Sequence, residues 1–321
     1  MRYLDPPSAR TLRLVGEQLP GRPRLRHVRQ FRGGLGCTND LVEVVGDAPG
    51  AVPAAVLRRY GPGHGARGPA AAVREAAALR LAATGGCPVP VVLWSSEGTG
   101  TRPFPEAALL LGYVAGSPWH TPTDQLGWAH RLADAAAAIH RVQVGREESP
   151  QLHDRSRHAV MAEAAPSDRF RTHPLGDALW HRRRELFEGG TIGAEDQRTL
   201  VHNDFHPGNL LWLEEEITAV VDWEEAAYGD PVADIAYCAS DMHYLGMDDA
   251  AKHFTARYVE QTGRSLDGYE AWMIVALCRP LPDIGRWLPS WQETGRPELS
   301  ANELRDRYDG LVERVLQATA T

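Results

Sequence analysis

Residues 200–212 read LVHNDFHPGNLLW. Apolar residues at 200–201 and 210–212 flank a polar loop from His202 to Asn209, which carries Asp204 and, five positions later, Asn209. Apolar runs around a loop containing Gly and Pro predict short strands over 199–202 and 209–213, with a third over 217–221. That third run ends in VVDWE, so Asp222 stands just past a strand end. One carboxylate to accept the proton of an attacking hydroxyl, with an amide oxygen and a second carboxylate to hold Mg²⁺, suits phosphoryl transfer. Phosphates are expected to supply further oxygen ligands.

With these residues in place, the chain resembles the aminoglycoside phosphotransferase/choline kinase-like family, small-molecule kinases that share the protein-kinase fold. His202, Asp204 and Asn209 match the family's HxDxxxxN loop, and Asp222 matches its metal-binding aspartate. Gly229, Asp230 and Pro231, followed by Asp234, Ile235 and Ala236, match a stretch whose aspartate braces the catalytic loop. The resemblance covers roughly residues 25–290, and its combined spacing is specific where no single element is. It implies an α+β, two-lobed protein-kinase-like fold. Residues 1–115 would form a nucleotide lobe with a five-stranded antiparallel sheet and one helix, and 116–321 a mainly helical lobe for catalysis and acceptor binding. Asp204 would be catalytic, Asn209 and Asp222 would hold Mg²⁺, and His202 and Asp234 would support the loop. Asn203 stands where many members have glycine, although choline-kinase-type loops carry Asn there.

The amino-terminal stretches take roles in that frame. Short strands are expected at 25–31 and 41–45 around FRGGLGCTND, then at 54–59, 88–93 and 107–114, with an alanine-rich helix over 70–83 stopped by Gly85 and Gly86. Gly33, Gly34 and Gly36 would let backbone approach the nucleotide phosphates, although a plain hairpin turn uses the same residues. In a protein kinase a lysine on the third strand holds those phosphates, but the only lysine of this chain is Lys252. The cation is therefore Arg58, whose fork suits phosphate, with Glu75 of the helix as its expected partner. Arg59, the next residue, is expected to face solvent. Gly112, Tyr113, Val114 and Ala115 are assigned to the adenine edge by resemblance alone, which leaves ATP against GTP open. His140 is expected to be structural.

The whole composition narrows the rest. The 321 residues are 43% hydrophobic and 24% charged with a mean hydropathy of -0.35, ordinary globular values with no run long enough for a bilayer. No secretory signal is visible, and Cys37, Cys87, Cys238 and Cys278 lack CxxC spacing, so a cytoplasmic protein with reduced thiols is expected. Residues 1–115 hold 14 arginines against 8 acidic residues, +6, while the remainder carries -14 of the net -8. That split points away from nucleic acid and toward an anionic ligand in the first part and a cationic one in the second. No membrane or protein partner is evident. Glu224, Glu225 and Asp241 would then meet an amine-bearing acceptor such as an aminoglycoside-type antibiotic. Trp287, with Trp272 and Trp291, would line a wall for it or fill the core. Other acceptors (an amino alcohol, macrolide, nucleoside or sugar), or a nucleotide-binding module without transferase activity, remain open. A metal-hydrolase cluster of His202, Asp204 and His206 is a weaker rival, because no second cluster completes it.

Overall fold

The computed structural model describes residues 4–31, 36–46, 52–61, 63–96, 104–119, 121–163, 172–189, 197–293 and 295–319. The chain begins with a helix that its short amphipathic run did not announce. In α1 (Ala9–Gly16), the Ser8 side chain accepts from the Thr11 N–H, and Leu12 and Val15 are buried. Strands β1 (Arg24–Gln30), β2 (Cys37–Val45) and β3 (Ala54–Tyr60) lead to α2 (Gly68–Thr84), and β4 (Val92–Ser95) and β5 (Ala107–Gly112) follow. These five strands form one antiparallel sheet in the order β1-β2-β3-β5-β4. The fourth strand starts later than expected because Pro88 and Pro90 have no N–H to give a ladder, and it lies at the sheet edge.

The extra helix changes the sheet's other face. Leu12 and Val15 pack in one cluster with Val42, Leu57 and Leu110, while α2 covers the opposite side with Leu109 and Leu111. Both faces of β3 are therefore covered, and Arg59 is not solvated as expected but only 4% exposed. It donates to Asp40 Oδ2 at 2.8 Å and to Glu106 Oε1 at 3.1 Å, which keeps the buried charge paired.

Beyond the sheet, α3 (Gln125–His140) is capped by the Asp124 side chain, which accepts from the Gly127 N–H. There follow β6 (His153–Arg155), α4 (Arg157–Ala162), α5 (Gly176–Glu188), β7 (Thr199–Val201), β8 (Leu210–Leu213), β9 (Glu216–Val220) and β10 (Ala227–Gly229). Helices α6 (Val232–Tyr244), α7 (Asp248–Thr262), α8 (Tyr269–Cys278), α9 (Leu288–Glu293) and α10 (Ala301–Ala318) complete the lobe. Two local expectations are corrected. The strands of 199–221 do not lie together: β7 pairs with β10, which pairs with β6, while β8 and β9 make a separate hairpin. Residues 145–158, read as loop, include β6. Three residues per strand, drawn from three distant segments, leave no periodicity to read.

The sheet meets the helical part along 113–118. The Ser117 N–H donates to the Trp212 carbonyl at 3.1 Å and receives the Trp212 N–H on its own carbonyl at 2.9 Å. Gly116 has φ +142, and a Cβ there would stand 2.8 Å from Thr218 Oγ1, so only glycine lets the connection lie this close to the hairpin.

Candidate active site

The loop between β7 and β8 is held by one carboxylate. Asp234, at the start of α6, accepts the N–H groups of His202 and Asn203 on separate oxygens, each at 2.7 Å. His140 Nε2 lies 3.1 Å from the same Asp234, and His140 Nδ1 2.9 Å from the Tyr258 hydroxyl, all buried. Asn203 has φ 61, a left-handed turn that glycine or asparagine tolerates, which accounts for the exchange of those two residues at this place. Its side chain donates to the Glu225 carbonyl at 3.1 Å. His202 is fully buried, with Nε2 2.9 Å from the Val221 carbonyl and its ring 4.6 Å from that of Trp223. A carbonyl only accepts, so His202 Nε2 carries the proton and is spent on this bond.

That pinned turn presents Asp204. Asn209 Nδ2 donates to Asp204 Oδ2 at 3.1 Å and to its carbonyl at 2.9 Å, which leaves the amide Oδ1 as the available ligand atom. The Val221 N–H donates to the Asn209 carbonyl at 2.9 Å and so sets Asp222 beside Asn209. Asp222 sits at φ 68 and ψ 56, which turns its carboxylate out of the strand. An amide oxygen and a carboxylate, both hard donors, fit Mg²⁺.

Arg58 reaches across from β3. Its Nε donates to Glu75 Oε2 at 2.8 Å, and its Nη2 to Asp222 Oδ1 and, at 3.3 Å, to Glu224 Oε2. The Tyr60 hydroxyl also donates to Glu75. Burial pushes the Glu75 carboxyl up, with Arg58 opposing it. The expected pair thus exists, and the same guanidinium reaches the segment after β9 through Asp222 and Glu224. Of the glycines, Gly33 and Gly34 lie outside the described residues. Gly36 packs so closely that a Cβ would stand 2.9 Å from His64 Cε1. Along 112–115, the Tyr113 N–H and the Ala115 carbonyl are engaged by Ala54 and Thr218.

The acids assigned to the acceptor do not stay together. Glu224 is drawn to the sheet side, where His64 Nε2 lies 2.9 Å from its Oε2 and Arg74 Nε donates to its carbonyl at 2.6 Å. Against the upward push of burial, the His64 bond and the Arg58 charge bring its carboxyl down to about 2. Glu225 is exposed, 3.5 Å from His153 Nε2. Asp241 does face the loop: it is 4% exposed, its Oδ2 has no hydrogen-bond partner among the described residues, and His206 Nδ1 is 3.9 Å away. Trp272 is core, donating to Asp230 Oδ2 at 2.8 Å, and Trp291 is buried. Trp287 is half-buried, 6.0 Å from Trp291.

One residue at this site was missed from the sequence. Arg279, just past α8, donates to Asp204 Oδ1 at 2.9 Å and to the Asn203 carbonyl, with its guanidinium 4.2 Å from the Tyr237 ring. Burial pushes the Asp204 carboxyl up, but the charges of His206, Arg279 and His202 outweigh it and the net shift is downward. The RPLPD stretch that carries Arg279 has no motif spacing, and only a lone arginine after an apolar helix marks it. The hydrolase rival finds no support here: the described His, Cys, Asp and Glu groups that converge in threes are Cys37–His64–Glu224 and Glu75–Asp222–Glu224.

Comparisons with known proteins identify a family and a fold. A sequence model of the phosphotransferase enzyme family matches residues 27–274. Among curated proteins, a hygromycin-B 4-O-kinase of Escherichia coli is 37% identical over 76 residues, 22% of this chain and 22% of that relative's length. A putative aminoglycoside phosphotransferase from Ralstonia eutropha has a similar structure, with a TM-score of 0.62 and 19% identity over 98% of each chain. The aminoglycoside phosphotransferase APH(4)-Ia, solved with ADP and hygromycin B, gives a TM-score of 0.58 at 19% identity over 94% of this chain and 97% of its own. At such identities the structural likeness shows the fold.

Proposed function

The chain belongs to the phosphotransferase enzyme family, and we propose that it transfers the γ-phosphoryl group of ATP to a hydroxyl of a small molecule. The observation that carries this is the convergence of Asp204 and Asn209 on one loop, Asp222 past β9 and Arg58 on β3, three separate segments that meet at one place. In this reading 1–115 is the nucleotide lobe and 116–321 the catalytic and acceptor lobe. Asp204 accepts a hydrogen bond from the attacking hydroxyl and takes its proton as the new P–O bond forms and the bond from the γ-phosphorus to the bridging oxygen breaks, releasing ADP. Mg²⁺ held by Asn209 and Asp222 would neutralise charge developing on the phosphates. Arg58 holds those phosphates with the 33–36 glycines, and the Tyr113 carbonyl and Ala115 N–H read the purine edge. Catalysis is mainly positioning and electrostatic, because phosphoryl transfer leaves the protein little covalent chemistry to do.

For the acceptor, an aminoglycoside-type antibiotic is supported by the solved relative that holds hygromycin B and by Asp241, whose uncapped oxygen suits an ammonium group. Arg279 favours a second reading, in which the acceptor carries a carboxylate or phosphate beside its hydroxyl, since the guanidinium adjoins the base. An ADP-release assay over aminoglycosides, amino alcohols, hydroxy acids, sugar phosphates, macrolides and nucleosides, with ATP and with GTP, separates them. Arg279→Met should raise KM about tenfold or more for anionic acceptors, the worth of a charge-assisted bond, and leave amine-bearing ones little changed. Equal losses on both sets would remove Arg279 from specificity, and absence of turnover on all would leave a nucleotide-binding module.

Asp241 offers a pH test. Burial raises its carboxyl to about 6. The folded protein therefore binds this proton more tightly than the unfolded chain, so its contribution to stability is lost as pH rises from about 4 to 6. Asp241→Asn should be more stable than the parent at pH 7.5, by at most about 3 kcal/mol, and the gap should close toward pH 4. Denaturant midpoints at both pH values decide it, and a gap independent of pH would contradict the assignment. For amine acceptors the same variant should raise KM above pH 6.

A further inference from the structure

Beside Asp222 lies a second cluster whose chemistry differs from the oxygen site at Asn209 and Asp222. Cys37 opens β2, His64 lies in the connection before α2, and Glu224 follows Asp222, so three distant segments of both lobes meet here. Cys37 Sγ is 3.4 Å from Glu224 Oε2, His64 Nε2 is 2.9 Å from the same oxygen, and the ligand atoms of all three lie within 4.8 Å of one another. We propose that Cys37, His64 and Glu224 form a binding site for a thiophilic divalent cation, Zn²⁺ in the first place, that ties the sheet to the catalytic segment.

The donor set selects the ion. Thiolate and imidazole suit Zn²⁺, whereas Mg²⁺ takes oxygen ligands, so the two neighbouring sites need not compete for one metal. Tetrahedral Zn²⁺, with bonds of about 2.0–2.3 Å, needs its ligand atoms roughly 3.5 Å apart, close to the spacing already present. The groups can move that little. His64 Nδ1 is buried without a hydrogen-bond partner among the described residues, and the ring has the Glu224 bond on Nε2 and an edge contact with Tyr60 at 5.3 Å. Gly36 supplies the room, since a Cβ there would stand 2.9 Å from His64 Cε1 and 3.1 Å from Glu224 Oε1.

Charge favours a cation as well. The carboxylates of Glu75, Asp222 and Glu224 share the single guanidinium of Arg58, while Arg74 spends its Nε on a carbonyl. A divalent ion at Glu224 would offset that excess. Three protein ligands leave a fourth tetrahedral position for water or a phosphate oxygen. On binding, the Cys37 thiol proton and the His64 Nε2 proton leave their atoms, the second by a shift to Nδ1, and the thiol proton passes to solvent.

Co²⁺ is the probe, because a thiolate ligand gives a sulfur-to-cobalt charge-transfer band and tetrahedral coordination gives intense visible bands. Titrating the reduced full-length protein should produce both, and stoichiometric Zn²⁺ should abolish them. Cys37→Ser should lose the charge-transfer band and His64→Asn should weaken Co²⁺ binding at least tenfold, while Cys278→Ser keeps both. Circular dichroism and melting of each variant would establish that it is folded. Absence of the band in the parent, or its persistence in Cys37→Ser, would overturn the proposal. None of these readouts depends on turnover, so the phosphotransfer reading stands or falls separately.

Discussion

Replacement of Asp204 by asparagine is expected to lower kcat by about 10²–10⁴-fold on the best acceptor, the range for loss of a positioned proton acceptor. Asparagine matches aspartate in size, and the N–H groups of His202 and Asn203 remain pinned by Asp234, so the loop should hold its shape. Nucleotide affinity should change little, because Asp204 faces Asn209, His206 and Arg279 and makes no contact with Arg58. ADP release with and without acceptor, beside nucleotide titration by calorimetry, separates chemistry from binding. Turnover undiminished in this variant would remove Asp204 from proton transfer. Because His206, Arg279 and His202 hold its carboxyl low against burial, the parent should not lose activity through Asp204 on mild acidification. A decline near pH 6 would instead report Asp241, and should be absent from Asp241→Asn.

The candidate catalytic loop was legible in the sequence because each of its proposed members is tied to a spacing. Asp204 and Asn209 are five apart on one turn, and Asp222 follows the next hairpin, so the chemistry lies within one local stretch. Arg58 and Glu75 were legible for another reason. With no lysine in the first 115 residues, the expected phosphate-holding cation had one arginine at the right strand position, and one helix carboxylate in register with it, and that pair is what the structure shows. The five strands were also within reach, since short apolar runs bounded by turn residues mark them, whereas their order in the sheet was not read.

What escaped the sequence depends on contacts between remote segments. Arg59 looked outward-facing on strand alternation, which presumes that one face of the sheet is wet. A single eight-residue helix, α1, covers that face and turns a surface arginine into a buried ion pair with Asp40. Glu224 and Glu225 are adjacent and read alike, yet one is claimed by His64, Arg58 and Cys37 and the other stands in solvent beside His153. Arg279 was invisible because its partner lies 75 positions away and is reached only when α8 packs on α6.

Loss of Arg58 should cost the most stability of any single change at the site. The side chain is 7% exposed and is the one guanidinium shared by Glu75, Asp222 and Glu224. Arg58→Met would leave a fully buried Glu75 with only the Tyr60 hydroxyl, and removing one partner of a buried ion pair typically costs about 3–5 kcal/mol. Arg58→Lys keeps the charge, but one ammonium cannot reproduce a fork that serves Glu75 through Nε and Asp222 through Nη2, so it should fall between. Adding Glu75→Leu to Arg58→Met should restore part of the stability, since removing both partners of a buried pair is often close to neutral. The pH dependence carries a sign. Burial already pushes the Glu75 carboxyl up, and without Arg58 it should rise further. A protonated Glu75 needs no cation, so the deficit of Arg58→Met should shrink as pH falls and grow as pH rises. Urea midpoints at two pH values, with unchanged slopes, read this directly. A deficit below about 1 kcal/mol, the range of exposed ion pairs, would mean that the interlobe charge cluster is held together by something other than Arg58.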